Sequence, residues 1–263
     1  MEYLNNLIKI VLVIEYSGKR YFGFQWQKDQ PTIQAELEKA ITRLTGEDRR
    51  VVAACRTDTG VHALGQVVSF RTASELSPEK YISGLNHYLP DDITIKQAGK
   101  IPHTFNVMKH AVRREYVYRI LNRHSRPAIM NDYYYHVRAK LDAALMDRAA
   151  RLLVGEHDFA SFVTGWTRDR STVRHIYEAG VEKDGEKVTF HVAANSFLTH
   201  QVRNIVGTLI KVGTGKMGVE EFNNILESKK LSLAGPTAPA HGLYLMKVIY
   251  PDIVEFKYEN LCT

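Results

Sequence analysis

The run IKIVLVIEY is apolar and β-branched from Lys9 to Glu15 and reads as a strand. A polar and aromatic loop, YSGKRYFGFQWQKDQP, follows it. Thr32 then stands as an N-cap before Ile33, Leu37, Ala40, Ile41 and Leu44, which recur at helical spacing. Arg50 to Cys55 and Gly65 to Arg71 read as two strands. Ser77-Pro78 opens a helix through Tyr81, Leu85 and Tyr88, with cap and first-turn chemistry in place. LPDD turns the chain, and Ile93 to Ala98 reads as a strand. The order is β-α-β-β-α-β.

The second half predicts the same order with additions. Glu115 to Leu121 alternates as a strand, with Tyr133 to Val137 as a partner. Asp142 caps a helix, AALMDRAARLLVG, that is expected to end at Gly155. Strands follow at Thr172 to Glu182 and Lys187 to Ala194. Next come the helices HQVRNIVGTLIKVG and VEEFNNILES, and a last strand over Leu243 to Ile249. The halves share element order and no evident sequence identity. An α+β chain of two ferredoxin-like halves is expected, 1–105 and 106–263, with a groove between them near Gly99 to Arg113.

A chain of 263 residues, 44% hydrophobic and 24% charged, has the composition of an ordinary globular protein and length enough for a sizeable core. No apolar run is long enough to span a bilayer. The N-terminus lacks the basic region and cleavage site of a signal peptide. Cys55 and Cys262 lie far apart and form no metal-like spacing, which fits a reducing, cytoplasmic setting without a structural disulfide. The net charge of +6 suits a polyanion such as nucleic acid, although charge alone is weak support.

The chemistry centres on ACRTDTGVHALGQVVSF. Asp58 sits two residues after Arg56 and two before Gly60, between two strands. One reading is an Asx-turn with a surface ion pair, which costs and contributes little. The other is a carboxylate kept ionised by a cation and used as a covalent nucleophile at a sugar or polarised ring carbon. In RREYVYRI, the residues Tyr116, Tyr118 and Ile120 share one strand face. Core packing suits Tyr118, and an aromatic face can also stack on a nucleobase. Arg203 borders the apolar face formed by Val202, Ile205, Val206 and Leu209. It is either a snorkelling surface arginine or a guanidinium held for a carboxylate such as Asp58 or for a phosphate. His62 and His200 are lone histidines for which packing or polar roles are expected. No metal-binding, phosphate-loop, dinucleotide or nucleophile-elbow pattern accompanies them. The loop KRYFGFQWQ suits RNA stacking and an ordinary hairpin rim equally.

These residues resemble the tRNA pseudouridine synthase A family. RTDTGVHALGQV resembles its GRTDAGVHA signature, IEYSGKRYFGFQWQ its IEYDGxxYxGWQ, and TIQAELEKAI its first helix. LNHYLPDDI resembles LNxxLPxDI, RREYVYRI resembles RxYxY, GEHDFASF resembles GxHDFxSF, and NSFLTHQVRNIVGTL resembles NxFLxxMVRxIVG. APAHGLYL resembles APAxGLYL. The resemblance is collinear over nearly the whole chain. It implies two ferredoxin-like halves forming a central mixed or antiparallel sheet, helices on one side, and an active cleft across it. It also implies a cytoplasmic homodimer that uses no metal or organic cofactor. The implied activity is isomerisation of uridine to pseudouridine at positions 38 to 40 of the tRNA anticodon stem-loop. Asp58 matches the nucleophilic aspartate, and Arg56 the arginine that displaces the target base. Tyr116 matches the tyrosine that stacks on the uracil, and Arg203 the arginine that pairs with the aspartate. Departures include Cys55 for Gly, Thr59 for Ala, Phe24 for Trp, Ser17 for Asp, and Met108 for a basic residue.

Two other readings follow from the same residues. One is a non-catalytic tRNA-binding or folding protein of this fold, against which the intact Asp58, Tyr116, Arg56 and Arg203 argue. The other is a retaining glycosidase, which needs a second carboxylate as acid/base. Glu15 and Glu115 are the acids in the matched motifs, and neither has an evident role of that kind.

Overall fold

The structure, a computed structural model, describes residues 7–164, 171–231 and 233–251. Cys262 lies outside them, and Cys55 forms no disulfide among them. No helix of the described residues is long and apolar enough to cross a membrane. The chain divides into two compact units. The first runs to Val112 and takes up the chain again at Lys247, and the second is Arg113–Met246.

In the first unit the elements are β1 (Ile8–Tyr16), α1 (Ile33–Thr45), β2 (Val52–Ala53), β3 (His62–Thr72), α2 (Pro78–Tyr88) and β4 (Ile93–Ile101). This is the expected β-α-β-β-α-β order. Strand β1 lies between β3 and β4, antiparallel to both, and β2 pairs with β3. Ile10, Val11, Leu12, Val13 and Ile14 are all buried. Burial of consecutive residues means that both faces of β1 are covered, which is why its sequence is a continuous apolar run rather than an alternation.

The helix ends follow local chemistry. The Thr32 hydroxyl accepts from Ala35 N, and Gly46 closes α1 at φ 75°, a left-handed cap that glycine adopts without strain. Ser77 caps α2 and Pro78 opens it. The LNHYLPDDI segment also explains itself. Asn86 donates to Ile95 O at 3.0 Å and accepts from Ile95 N at 2.7 Å, so one side chain ties α2 to the start of β4.

The strand expected over Arg50 to Cys55 is shorter, only Val52–Ala53. Ala54 N still reaches Val67 O at 2.8 Å, but beyond it the ladder passes to a side chain. Gln66 accepts from Cys55 N at 3.2 Å and donates to Cys55 O at 2.8 Å. The backbone is thereby released from β3 just before the Asp58 turn.

In the second unit the elements are β5 (Arg113–Asn122), β6 (Tyr135–Val137), α3 (Ala143–Arg151), β7 (Gly155–Asp158), β8 (Val173–Asp184), β9 (Lys187–Ala194), α4 (Gln201–Gly213) and α5 (Val219–Ser228). A last strand, β10 (Leu243–Ile249), begins in this unit and ends in the first. Strands β5, β9, β8 and β7 are successive antiparallel neighbours, and β6 adds to β5 in parallel. Asp142 caps α3 through Leu145 N. The helix stops at Arg151 rather than running to Gly155. Leu152 N bonds to both Ala149 O and Ala150 O, a tightened final turn, and Gly155, at φ 111°, begins β7.

Replacing Asn86 with alanine removes both ties to Ile95. Urea unfolding is expected to show a loss of about 1–2 kcal/mol, at one bond's worth for each contact.

Candidate active site

In the first unit Asp58 is half-buried on a turn closed by a hydrogen bond from Val61 N to Asp58 O at 3.1 Å, with Gly60 at φ 79°. Arg56 is exposed. The turn is held from several sides by residues distant in sequence. Phe24 N donates to Thr57 O at 3.1 Å. The Tyr16 hydroxyl lies 2.7 Å from Thr57 Oγ1. Gly18 N donates to His62 Nδ1 at 3.2 Å, which assigns the neutral imidazole an acceptor at that nitrogen. His62 is therefore a buried, hydrogen-bonded residue, the packing role its sequence context predicts.

Two glycines press directly on this turn. A Cβ on Gly23, which has φ 86°, would stand 2.8 Å from Thr57 O and 3.3 Å from Asp58 C. A Cβ on Gly18 would collide with Val61 O and come within 2.9 Å of Gly60 C. Backbone atoms cannot give way as a flexible side chain can, so only glycine fits at either place.

The glycine-bearing segment is itself anchored. Asp92 accepts from Tyr21 Oη at 2.6 Å and from Arg20 Nε at 2.7 Å, while Ser17 N donates to Asp92 O at 2.9 Å. Partial burial works against the charged form of Asp92. The hydrogen bonds from Arg20 and Tyr21, with the Arg20 charge, outweigh it and hold the carboxyl below its ordinary value.

In the second unit Tyr116 is half-buried on β5, opposite Val192 of β9. Its ring meets Phe197 edge-on, with centroids 5.1 Å apart and planes at 84°. Tyr118 and Ile120, on the same strand face, are fully buried. Tyr118 donates to Pro239 O at 2.6 Å, and burial raises its phenol well above the usual range. It is a core residue, whereas Tyr116 keeps part of its ring accessible.

Arg203 is neither a free surface arginine nor a core residue. It sits on α4 beside buried Val202 and Asn204, and its Nε donates to Ala238 O at 2.8 Å. Ala238 N returns a bond to Arg203 O at 3.1 Å. The APAHGLYL segment thus grips both Arg203 and Tyr118. Asn204 donates to Phe162 O and Thr164 Oγ1 and accepts from Thr237 Oγ1, so its amide is fully used. His200 precedes the helix in the left-handed region, at φ 60°. No group of three or more metal-ligating side chains occurs among the described residues.

Residues 12–111 and 149–251 match the family model described as tRNA pseudouridine synthase. The chain is 43% identical over 241 residues to "tRNA pseudouridine synthase A" of Thermoanaerobacter sp. (strain X514), covering 92% of this chain and 99% of that protein. The chain belongs to the tRNA pseudouridine synthase family. It is also 41% identical to the protein of the same name in Caldicellulosiruptor bescii, again over 92% and 99% of the two chains. With that of Shewanella sediminis it shares 40% identity over 94% and 95%. A solved archaeal box H/ACA sRNP Nop10-Cbf5 complex covers 78% of this chain and 44% of its own, at 14% identity and a TM-score of 0.36, a likeness too slight to bear on function.

Several segments that resemble those of tRNA pseudouridine synthases now have physical reasons. Gly18 and Gly23 of IEYSGKRYFGFQWQ touch the RTDTG turn, and Gly242 of APAHGLYL leaves room for Tyr118, whose Cζ would lie 2.7 Å from an added Cβ. Of the four residues picked out by motif, Arg56 and Asp58 share a turn in the first unit. Tyr116 and Arg203 lie on β5 and α4 of the second. The supports of the turn, Tyr16, Thr57 and Gln66, are additional. Thr57 belongs to the RTDTG motif itself, whereas Tyr16 and Gln66 carry no sign in the sequence of what they touch.

Because the native carboxyl of Asp92 is lowered, its stabilising contribution is complete above the unfolded value of about 4 and is lost as pH falls through the native one. Asp92→Asn is expected to remove that component. Its stability should fall less steeply with acid below about pH 4 than the wild type's, measured by denaturant midpoints across the range.

Proposed function

We propose that this tRNA pseudouridine synthase acts at positions 38, 39 and 40 of the anticodon stem-loop, with Asp58 as its reacting carboxylate. The observation that carries the reading is the turn itself. A lone acid stands on a backbone segment pinned by Phe24, Tyr16, Gly18 and Gly23, in a chain whose family isomerises uridine in tRNA. A turn serving only as a connection has no need of such fixing.

The reaction breaks the bond from uracil N1 to ribose C1′, turns the base, and joins C5 to C1′. The proton leaves C5 and N1 gains one. A uridine in a paired stem first leaves the stack, at a cost of a few kcal/mol. Arg56, exposed beside the turn, is assigned to that displacement. Asp58 then acts by attack on C1′ or by taking a ribose proton, and either route requires it ionised. Tyr116 is assigned to stacking on the uracil, and its half-buried ring suits that role better than fully buried Tyr118. Arg203 is assigned as the cation that favours the ionised aspartate. We further assign the enzyme to the cytoplasm, as a homodimer, with no cofactor in the reaction.

The test is to incubate the wild type and Asp58→Ala with unmodified tRNA carrying uridines at 38, 39 and 40, mapping pseudouridine and measuring binding in parallel. Product at those positions from the wild type alone, with binding retained by the variant, supports the assignment. Tight binding without product from several such tRNAs would move the chain to the non-catalytic reading.

A further inference from the structure

We propose that Tyr16 is a positioning residue for the Asp58 carboxylate, acting through the hydroxyl of Thr57. The inference rests on the reading of Asp58 given above. Tyr16 ends β1 and is only 3% exposed, too buried for a direct role in gripping RNA. Its ring packs against Phe24, with centroids 6.3 Å apart. Its hydroxyl lies 2.7 Å from Thr57 Oγ1. Gln66 is completely buried and holds both backbone polar groups of Cys55. Side chains of β1 and β3 therefore grip Thr57 and Cys55, on the two sides of Arg56 and just ahead of Asp58.

The sheet is shaped for this arrangement. Strands β1 and β3 pair in regular register up to Ile14 opposite Gln66. The next pair is Tyr16 opposite Ala63, so β3 carries an extra residue at this point. Such an irregularity re-aims side chains, and bulges of this kind occur beside active sites. Here it coincides with Tyr16, which reaches Thr57, and Gln66, which reaches Cys55.

Phe24 N fixes Thr57 O, and Val61 N fixes Asp58 O. Those bonds set where the backbone lies. The Thr57 side chain adds a hold on the residue next to Asp58, and its hydroxyl is the atom that Tyr16 meets. Burial of the phenol keeps it protonated throughout the working range, so the contact does not vary with pH. A displacement of 1 Å in a reacting group can lower a rate about 100-fold, so a single hydroxyl contact is enough to matter.

The test compares Tyr16→Phe, Thr57→Val, Thr57→Ser, the double variant Tyr16→Phe/Thr57→Val, and Asp58→Ala. Each is assayed for single-turnover pseudouridine formation at saturating tRNA, for tRNA affinity, and for thermal midpoint. Tyr16→Phe and Thr57→Val should each lower the single-turnover rate on the order of 10- to 100-fold and leave affinity unchanged. Thr57→Ser, which keeps the hydroxyl, should restore most of the rate. The double variant should be no slower than the worse single, because both remove one interaction. A wild-type rate in Tyr16→Phe beside an inactive Asp58→Ala overturns the positioning role and leaves the Asp58 reading standing. An active Asp58→Ala overturns both. Should Tyr16→Phe fail to fold, Thr57→Val against Thr57→Ser decides alone, and equal rates for that pair overturn the proposal.

Discussion

Everything about the candidate site depends on the close approach of one backbone segment to another. Gly18 and Gly23 lie so near residues 57–61 that a single added carbon at either would meet main-chain atoms. The loop after β1 and the turn before β3 are therefore one structural object, although some forty residues separate them. The hydrogen bonds from Phe24 to Thr57 and from Gly18 to His62 are possible only at that distance. Asp92, fastening Tyr21 and Arg20, keeps the loop from peeling away. A half-buried carboxylate on such a support has its position chosen before any substrate arrives, which is the condition for efficient use of a single reacting group.

The second unit solves a similar problem with a different segment. Residues 236–242 run along α4 and β5, where Ala238 bonds to Arg203 and Pro239 to Tyr118. Gly207 and Gly242 make room for that passage, the first for the backbone of Pro236 and the second for the ring of Tyr118. Both units thus use glycine to bring main chain against main chain or ring. Both use buried polar side chains, Gln66 in one and Asn204 in the other, to satisfy backbone groups that no regular ladder reaches.

Much of the fold was legible because its signals are local. Thr32, Ser77-Pro78 and Asp142 begin helices where their chemistry says they should, and the closing strand spans Leu243–Ile249 as its apolar run predicts. The misses are non-local. The strand at Arg50 to Cys55 is cut short by a side chain eleven residues away, which no strand pattern encodes. Strand β7 is only GEHD, polar and brief, and exists through its pairing with β8. The two compact units divide after Val112, and the end of the last strand belongs with the first unit. For the site, Asp58 and Arg56 stood out in the motif. Tyr16 and Gln66 did not, since an isolated tyrosine or glutamine in a strand carries no sign of what it will touch.

The most direct test of this account is the single-turnover rate of Gly23→Ala at saturating tRNA, measured where circular dichroism shows the protein folded. A methyl there must push Thr57 and Asp58 off their path, and a rate well below that of the wild type is expected with tRNA still bound. A folded Gly23→Ala that forms pseudouridine at the wild-type rate would contradict the claim that the glycine-backed turn sets the working position of Asp58.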